Sequence, residues 1–222
     1  MRRIGVYGKL QMIPLFTGMS QTELETVVGQ TKLLFSKVDR GEDVIEEGDR
    51  SGRLVFLVDG SLLVKTLSDD HAYAVEEELS GCRVLQPESA FGLKQRFTHT
   101  YHALTACSLV SIAKNDALRL TSVSLIFRLN LMNLISTALQ KECGKVWRKP
   151  PESLQDRVSR FLADRCQQPS GKKVFKIKLQ RMALELNESC RKVSECLHAM
   201  QEKGLVTLGR GRIVVPDLEK LS

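Results

Sequence analysis

The sequence predicts an α+β protein in which a β-roll (jelly roll) is followed by a long helix and then by a small helical domain that ends in a β-hairpin. Three observations predict this order. From Lys32 to Ile112, short strand patterns alternate with glycine and aspartate turns. From Leu125 to Val146, apolar residues recur at heptad spacing. From Leu179 to Val215, two apolar-periodic runs separated by a break precede a hairpin pattern.

The positive charge of the chain is concentrated in its last third. The 222 residues suffice for two domains, and 42% hydrophobic and 27% charged residues are typical of a globular protein. From Met1 to Trp147 there are 17 basic and 17 acidic residues, whereas Arg148 to Ser222 contains 16 and 9, so the net charge of +7 lies there. A basic terminal domain suits a polyanion such as nucleic acid, and the alternative is a merely solvated basic surface.

Several functional classes find no support in the sequence. No P-loop, Ser/His/Asp order or pair of catalytic carboxylates is present, so we expect neither an enzyme nor catalytic residues. No apolar run follows Met1-Arg2-Arg3, so we expect no signal peptide and a cytoplasmic protein. Six scattered cysteines without a CxxC motif predict reduced thiols and no metal site.

The N-terminal third begins with a short helix and continues as strands. Ser20 and Glu23 have the spacing of a capping box, which predicts an amphipathic helix with Leu24, Val27 and Val28 facing inward. The short strands that follow, with their regular turns, are typical of a barrel or roll.

The middle of the chain predicts a helix with two apolar faces. One stripe follows a heptad seam, so we predict a homodimer across it; the alternative is a helix buried within a monomer. Its interface residues are Leu125, Leu129, Met132, Ser136, Leu139 and Cys143. A second stripe (Phe127, Leu131, Leu134 and Ala138) is expected to pack on the roll. The prolines of Arg148–Pro151 end the helix and predict a hinge there.

The C-terminal pattern predicts a helix-turn-helix. Asn187 tolerates the left-handed conformation of a tight turn, and Ser189 can cap the second helix. Arg191 and Lys192 lie in the first turn of that helix, from which side chains reach base edges in a major groove. An ordinary helical hairpin is the alternative. The hairpin pattern after Gly204, with arginines at its tip, favours a winged helix-turn-helix that binds DNA.

Glycine-punctuated strands carry a family resemblance. In Gly41–Asp49 and Val55–Leu62, the Gly48-Asp49 and Asp59-Gly60 turns look like those of cyclic-nucleotide-binding β-rolls. With the winged helix behind it, the chain resembles the cyclic-AMP receptor and fumarate–nitrate regulator (Crp/Fnr) family of bacterial transcription regulators. The resemblance implies a cyclic-nucleotide-binding-like sensor domain at 1–115, a long dimerisation helix at 116–147 and a winged helix-turn-helix DNA-binding domain at 148–222.

The resemblance fails at the effector pocket. Family members of the cyclic-nucleotide type bind ribose through a Gly-Glu pair and phosphate through an Arg-Ser/Thr pair, but Leu93 and Phe97 stand at the glutamate and arginine positions here. The loss of a charged hydrogen-bond partner costs about 1.5–3 kcal/mol. We therefore expect an effector other than cyclic AMP and assign no cofactor. The degenerate pocket comprises Phe91, Gly92, Leu93, Arg96, Thr98 and His99.

Other sensing chemistries stay open. Haem would need an axial ligand, for which His71, His99, His102 and Cys82 are candidates. Redox sensing would need an activated thiol, and Cys190 has the most basic neighbourhood in the sequence. A satisfied histidine or a packed, inert cysteine is the alternative in each case.

The resemblance also assigns the residues that contact DNA. Base contacts fall on Cys190, Arg191, Lys192 and Glu195, with Ser189 as phosphate contact and cap, and Arg191 could pair with guanine. Backbone or minor-groove contacts fall on Arg210 and Arg212 of the wing, with Lys176 and Lys178 on the strand that precedes the first helix.

These elements together predict a homodimeric, effector-modulated regulator. We expect it to bind double-stranded DNA at an inverted repeat with half-sites about one helical turn apart, near ~34 Å. The resemblance implies RNA polymerase as a further partner. The alternative is a ligand-sensing module whose winged helix binds protein, and the salt dependence of binding distinguishes the two.

Overall fold

The computed structural model describes residues 6–221. In chain order the elements are α1 (Val6–Gln11), α2 (Gln21–Gln30), β1 (Leu33–Val38), β2 (Asp43–Ile45), β3 (Arg53–Asp59), β4 (Ser61–Leu67), β5 (Ala74–Ser80), β6 (Arg83–Leu85), β7 (His99–Ala103), β8 (Cys107–Ala113), α3 (Lys114–Val123), α4 (Leu125–Val146), α5 (Leu154–Asp164), β9 (Lys173–Lys176), α6 (Leu179–Glu185), α7 (Cys190–Glu202), β10 (Thr207–Gly209) and β11 (Arg212–Val215).

The chain divides into two compact units, each of which consists of two separate segments of the sequence. The first unit comprises the chain up to Leu62 together with Ser80–Val146. The second comprises Leu63–Leu79 and the chain from Trp147 onward, so that most of the β4–β5 hairpin packs with the C-terminal segment. The division predicted from the sequence, with boundaries at 115 and 147, places Leu63–Leu79 in its first segment. It stays a prediction.

The first unit is the expected roll of antiparallel strands. Its larger sheet has the order β1-β8-β3-β6, and β2 pairs with β7 beside a bulge. The Ser20–Glu23 capping box is present: the Ser20 hydroxyl accepts from the Glu23 N–H at 3.3 Å, and the Glu23 carboxylate accepts from the Ser20 N–H at 2.8 Å. Helix α2 therefore begins where the sequence predicted.

Aromatic packing joins α4 to the roll. The Phe16 ring lies 5.6 Å from that of Phe127 on α4 and 6.4 Å from that of Phe56 on β3. Phe127 and Leu131 are buried in this core, and Leu134 packs against it. The second apolar stripe thus packs on the roll over its N-terminal half, whereas Ala138, further along, is exposed.

The long helix begins later than its sequence run suggested. Residues 114–146 form two helices rather than one, bent by 119° at Ser124. Ser124 has an extended backbone, and its hydroxyl accepts a hydrogen bond from the Phe127 N–H at 3.2 Å. This cap provides the physical reason for a new start, because it satisfies an N–H that a continuous helix would have bonded internally. Within residues 6–221, no single helix is long and apolar enough to cross a membrane, and α3 and α4 reach that composition only as this bent pair.

The second unit is a winged helix with an added hairpin. Its sheet runs β10-β11-β9-β5, with β4 next to β5, and α5, α6 and α7 pack against it around one core. The inward face of α5 is buried at Val158, Phe161 and Leu162. Val75, from the hairpin, belongs to the same core and is 2% exposed. The C-terminal segment therefore shares its core with residues more than 70 positions earlier in the chain.

Candidate nucleic-acid interface

The helix-turn-helix forms where the sequence predicted it. Asn187 adopts a left-handed conformation with φ of 50°, and the Glu188 N–H donates to the Ala183 carbonyl at 2.9 Å. The Ser189 hydroxyl accepts from the Lys192 N–H at 3.3 Å and caps α7. A short polar residue tolerates the turn at little cost, and the cap satisfies one of the unpaired N–H groups of the helix start.

Helix α7 has one buried and one exposed face. Val193, Leu197 and Met200 are buried in the core of the second unit. The residues assigned to base contacts are all exposed: Cys190, Arg191, Lys192 and Glu195. The hydrophobic periodicity alone orients this face, because burying the three apolar side chains leaves the first turn pointing outward.

Two of these side chains are paired with acids. Arg191 Nε lies 2.8 Å from Glu195 one turn later, and Lys192 Nζ lies 3.3 Å from Glu188 one turn earlier. Arg191 is 87% exposed, and an exposed pair of this kind contributes at most about 1 kcal/mol. An anion or a base edge can therefore displace the Glu195 carboxylate from Arg191 at small cost.

An arginine from α5 holds the turn. Arg157 donates to a Glu188 carboxylate oxygen at 2.5 Å and to the Leu186 carbonyl at 3.2 Å. The hydrogen bond from Arg157 to the Glu188 carboxylate, followed by the one from Lys192, holds the pKa of Glu188 below its ordinary value of 4.5. No local pattern in the sequence predicts this contact, because Arg157 and Glu188 lie 31 positions apart and neither belongs to a recognisable motif.

The wing carries exposed cations beside the second turn of α7. Arg210 is at the hairpin tip and Arg212 starts β11; with Lys178 before α6, they have no acidic partner within residues 6–221. A pocket of about 270 Å³ separates α7 from the wing, with Ser194 and His198 on one side and Arg212 on the other. Ser194 and His198 thus line the same surface, although sequence analysis did not assign them.

The degenerate effector pocket is partly filled by the protein itself. Phe97, at the position where the family has its arginine, is buried at 5% exposure. The Thr98 hydroxyl accepts from the Gln86 amide at 2.8 Å, and the Thr98 N–H donates to the same side chain at 3.0 Å. Arg96, the nearest arginine, donates to the Gly48 carbonyl at 2.6 Å. The polar groups of this region are therefore bonded to one another.

Around this region the surface is basic. A groove of about 600 Å³ is lined by Arg50, Lys94 and Arg96, together with Leu93, whose side chain is fully exposed. Arg50 and Arg96 face each other across an isolated β-bridge. Like charges directly opposite each other repel, and a bound anion relieves that repulsion. Phe91 and His99, also predicted for the pocket, are half-buried, and Gly92 has φ of 81°.

The candidate ligands for haem and redox sensing are dispersed. Within residues 6–221 no three His, Cys, Asp or Glu side chains are grouped as a metal site. His102 is hydrogen-bonded to Asp43 at 2.7 Å. Burial raises the pKa of the Cys82 thiol. Cys190 is exposed at the start of α7 rather than packed in the core.

The heptad face of α4 is exposed apolar surface. Leu139 is 62% exposed, and the other large apolar side chains of the seam are similarly open: Leu125, Leu129, Met132 and Val146. Ser136 and Cys143 complete the stripe and are also exposed. The opposite face of the same helix packs on the roll, so this stripe has no partner within residues 6–221.

The likeness to known proteins agrees with this geometry. Residues 156–222 match the family described as the Crp-like helix-turn-helix domain. The chain is similar to the catabolite activator protein of Thermus thermophilus, at 20% identity and a TM-score of 0.51, over 94% of this chain and 96% of that one. It is also similar to a protein of Eubacterium rectale assigned to the Crp/Fnr family of transcriptional regulators (21%, TM-score 0.53, 95% and 97%).

A third similar structure is the c-di-GMP-responsive global regulator CLP of Xanthomonas campestris (17%, TM-score 0.51, 89% and 99%). No curated protein matches the chain in sequence. The Crp/Fnr resemblance is thereby confirmed at the level of fold: the chain combines a cyclic-nucleotide-binding-like β-roll, a long helix and a Crp-like winged helix-turn-helix.

We predict that the Glu188 carboxylate stabilises the second unit in a pH-dependent way. Its pKa is lowered in the folded chain, so its contribution is complete above its ordinary pKa of 4.5 and is lost as the pH falls through the lower folded value. Glu188→Gln should therefore lower the free energy of unfolding at neutral pH, and the difference from wild type should shrink in acid. Urea unfolding from about pH 7 down to about pH 3 measures this.

The matched control is Glu202→Gln on the same helix, because Glu202 has no cationic partner in the described part of the chain. A Glu188→Gln effect that is equally large at both pH limits would contradict the ionic explanation.

Proposed function

We propose that this chain is a homodimeric, DNA-binding transcription regulator of the Crp/Fnr type whose effector is not cyclic AMP. The observation that carries the proposal is the exposed first turn of α7, with Arg191 and Lys192, on a winged helix that contains the entire net charge of the chain. A helix N-terminus of this kind fits the major groove, where arginine can pair with guanine through two hydrogen bonds.

Phosphate contacts supply the sequence-independent part of binding. Lys178, Arg210 and Arg212 are exposed and have no acidic partners in the described residues, so they remain available to phosphates. Each neutralised phosphate releases counterions, which makes the affinity fall with salt. Arg191 exchanges Glu195 for a DNA group at low cost, because both side chains of this pair are solvent-exposed, and the exposed Lys192 can leave Glu188 to its second partner, Arg157.

A dimer explains the exposed heptad stripe of α4. The seam leaves Leu129, Met132 and Leu139 about half exposed or more, and pairing two such helices removes this surface from water. Two winged helices related by a dyad then read an inverted repeat with half-sites about one helical turn apart. The proposal includes RNA polymerase as the partner through which such a regulator acts, and a cytoplasmic location.

The effector site argues against cyclic AMP. A buried Phe97 cannot donate to a phosphate, and the Gln86 amide already occupies the hydrogen-bonding groups of Thr98. Leu93 cannot accept a ribose hydroxyl. The three cations of the neighbouring groove instead favour an effector that carries negative charge.

We predict that Arg191 determines one base pair in each half-site. The purified protein should enrich an inverted repeat from a pool of random duplexes. Arg191→Ala should then weaken binding to the selected site by about 1–3 kcal/mol and relax the preference at one position, because the bidentate base contact is lost.

Lys178→Ala should weaken binding to all sequences alike. It should also reduce the slope of log affinity against log salt concentration by about one phosphate equivalent. Gln201→Ala, at the exposed end of α7, is the control. If the affinity for duplex DNA did not fall with increasing salt concentration, the alternative of a winged helix that binds protein would be favoured.

We predict that Leu129→Glu separates the dimer. Two carboxylates brought together in an apolar seam lose hydration and repel each other, so the variant should sediment as a monomer at micromolar concentration. Thr137→Glu adds the same charge to α4 away from the seam and should leave the dimer intact. Sedimentation equilibrium measures both. A wild-type chain that is monomeric at tens of micromolar would contradict the proposed dimer.

We predict that cyclic AMP neither binds nor alters DNA affinity. Titration calorimetry at millimolar nucleotide should give no saturable heat, and the affinity for the selected duplex should stay within twofold of its value without nucleotide. Saturable binding at micromolar concentration would show that another group has replaced the missing glutamate and arginine.

A further inference from the structure

The hairpin formed by Leu63–Leu79 completes the sheet of the winged helix. Strand β5 pairs antiparallel with β9 over four residue pairs, from Ala74 opposite Lys176 to Glu77 opposite Lys173. On its other edge β9 pairs with β11 of the wing. Strand β9 is therefore a central strand, and the hairpin removes an open edge on which unpaired N–H and C=O groups would otherwise be exposed.

A buried ion pair lies at the end of this pairing. Lys173 Nζ is 2.8 Å from Glu77 Oε1, and both side chains are 1% exposed. The Glu77 carboxylate also accepts from the backbone N–H of Gln167 at 2.8 Å and of Gln168 at 3.1 Å, just beyond the end of α5. Glu77 thus holds the start of the connection from α5 to β9 and also forms the ion pair with Lys173.

Contacts at the tip of the hairpin reach the first two helices of the winged helix. The Tyr73 hydroxyl accepts from Arg165 Nε at 2.8 Å, and the Arg165 guanidinium lies 3.7 Å from the centre of the Phe161 ring on α5. Asp70 is 2.8 Å from Arg181 on α6. Each contact joins the hairpin to an element that supports the recognition helix.

Unpairing this hairpin would be strongly unfavourable. It would leave the buried Lys173 ammonium without its carboxylate, and breaking a buried pair costs far more than the pair itself stabilises. It would also expose Val75 and unpair one edge of β9. The pairing of β5 with β9 therefore belongs to the stable structure of the second unit.

We propose that the Leu63–Leu79 hairpin remains paired with β9 when the chain binds DNA, and that Glu77 is a positioning residue for the recognition helix. This inference rests on the proposed DNA-binding function. The hairpin continues into the first unit at Leu62 and at Ser80, so the winged helix has two chain connections to the roll besides the one before α5.

A disulfide across the two strands tests the pairing. Glu76 and Val174 are opposite each other in the register, at a spacing that a disulfide can bridge, and neither is assigned to DNA. The full-length Glu76→Cys/Val174→Cys chain is compared reduced and oxidised, with the cross-link verified by peptide mass spectrometry. We expect the oxidised and reduced forms to bind the duplex selected by wild type with affinities that agree within twofold.

The outcomes distinguish failure of the hairpin inference from failure of the proposed DNA-binding function. A tenfold or greater loss of affinity on oxidation, restored by reduction, would show that the hairpin must leave β9 and would overturn the inference alone. A wild-type chain that binds no duplex, with or without cell extract, would overturn the proposed function and the inference with it. Each single-cysteine variant controls for oxidation of the native thiols.

A second pair of variants tests Glu77 itself. Glu77→Gln should reduce affinity for the selected repeat at least tenfold, while affinity for a random duplex changes less than threefold, because a misplaced recognition helix loses base contacts before phosphate contacts. Glu78→Gln, the exposed neighbour on β5, should change neither. Equal losses on both duplexes would show general destabilisation and would remove the positioning role.

Discussion

The buried ion pair between Glu77 and Lys173 is the constraint on which the second unit of this protein depends. Two charges taken out of water are tolerable only with every partner in place, and here the carboxylate also accepts hydrogen bonds from two backbone N–H groups. Such a network demands one arrangement of β5, β9 and the end of α5. Because α5 and α7 share one core with Val75 of β5, this strand of the hairpin is part of the second unit.

The first turn of α7 carries ion pairs on its exposed face. Glu188 and Glu195 partner Lys192 and Arg191, while Arg157 holds Glu188 from α5. The arrangement separates two roles: Arg157 is partly buried and positions the turn, whereas the side chains of Arg191 and Lys192 are solvent-exposed. Arg210 and Arg212 on the wing, which have no acidic partners in the described residues, add positive charge beside this face.

In the effector region that the resemblance predicts, Phe97 is buried, and the Gln86 side chain forms two hydrogen bonds with Thr98. Leu93, Arg96 and Thr98 line an open groove, in which the Arg50–Arg96 bridge concentrates positive charge. This region therefore has cations at its surface but lacks the glutamate and arginine that the resemblance leads us to expect at positions 93 and 97.

Local signals in the sequence were enough to predict the roll, the helix-turn-helix and the exposed face of α7, because periodicity, the caps Ser20 and Ser189, and the turn residue Asn187 act over only a few residues. The departures at Leu93 and Phe97 are also visible in the sequence. The break at Ser124, the Arg157–Glu188 contact and the packing of the hairpin with the C-terminal segment emerge only in the folded chain. These features depend on residues that are distant in sequence: Glu77 and Lys173 lie 96 positions apart, and nothing near either residue identifies the other as its partner.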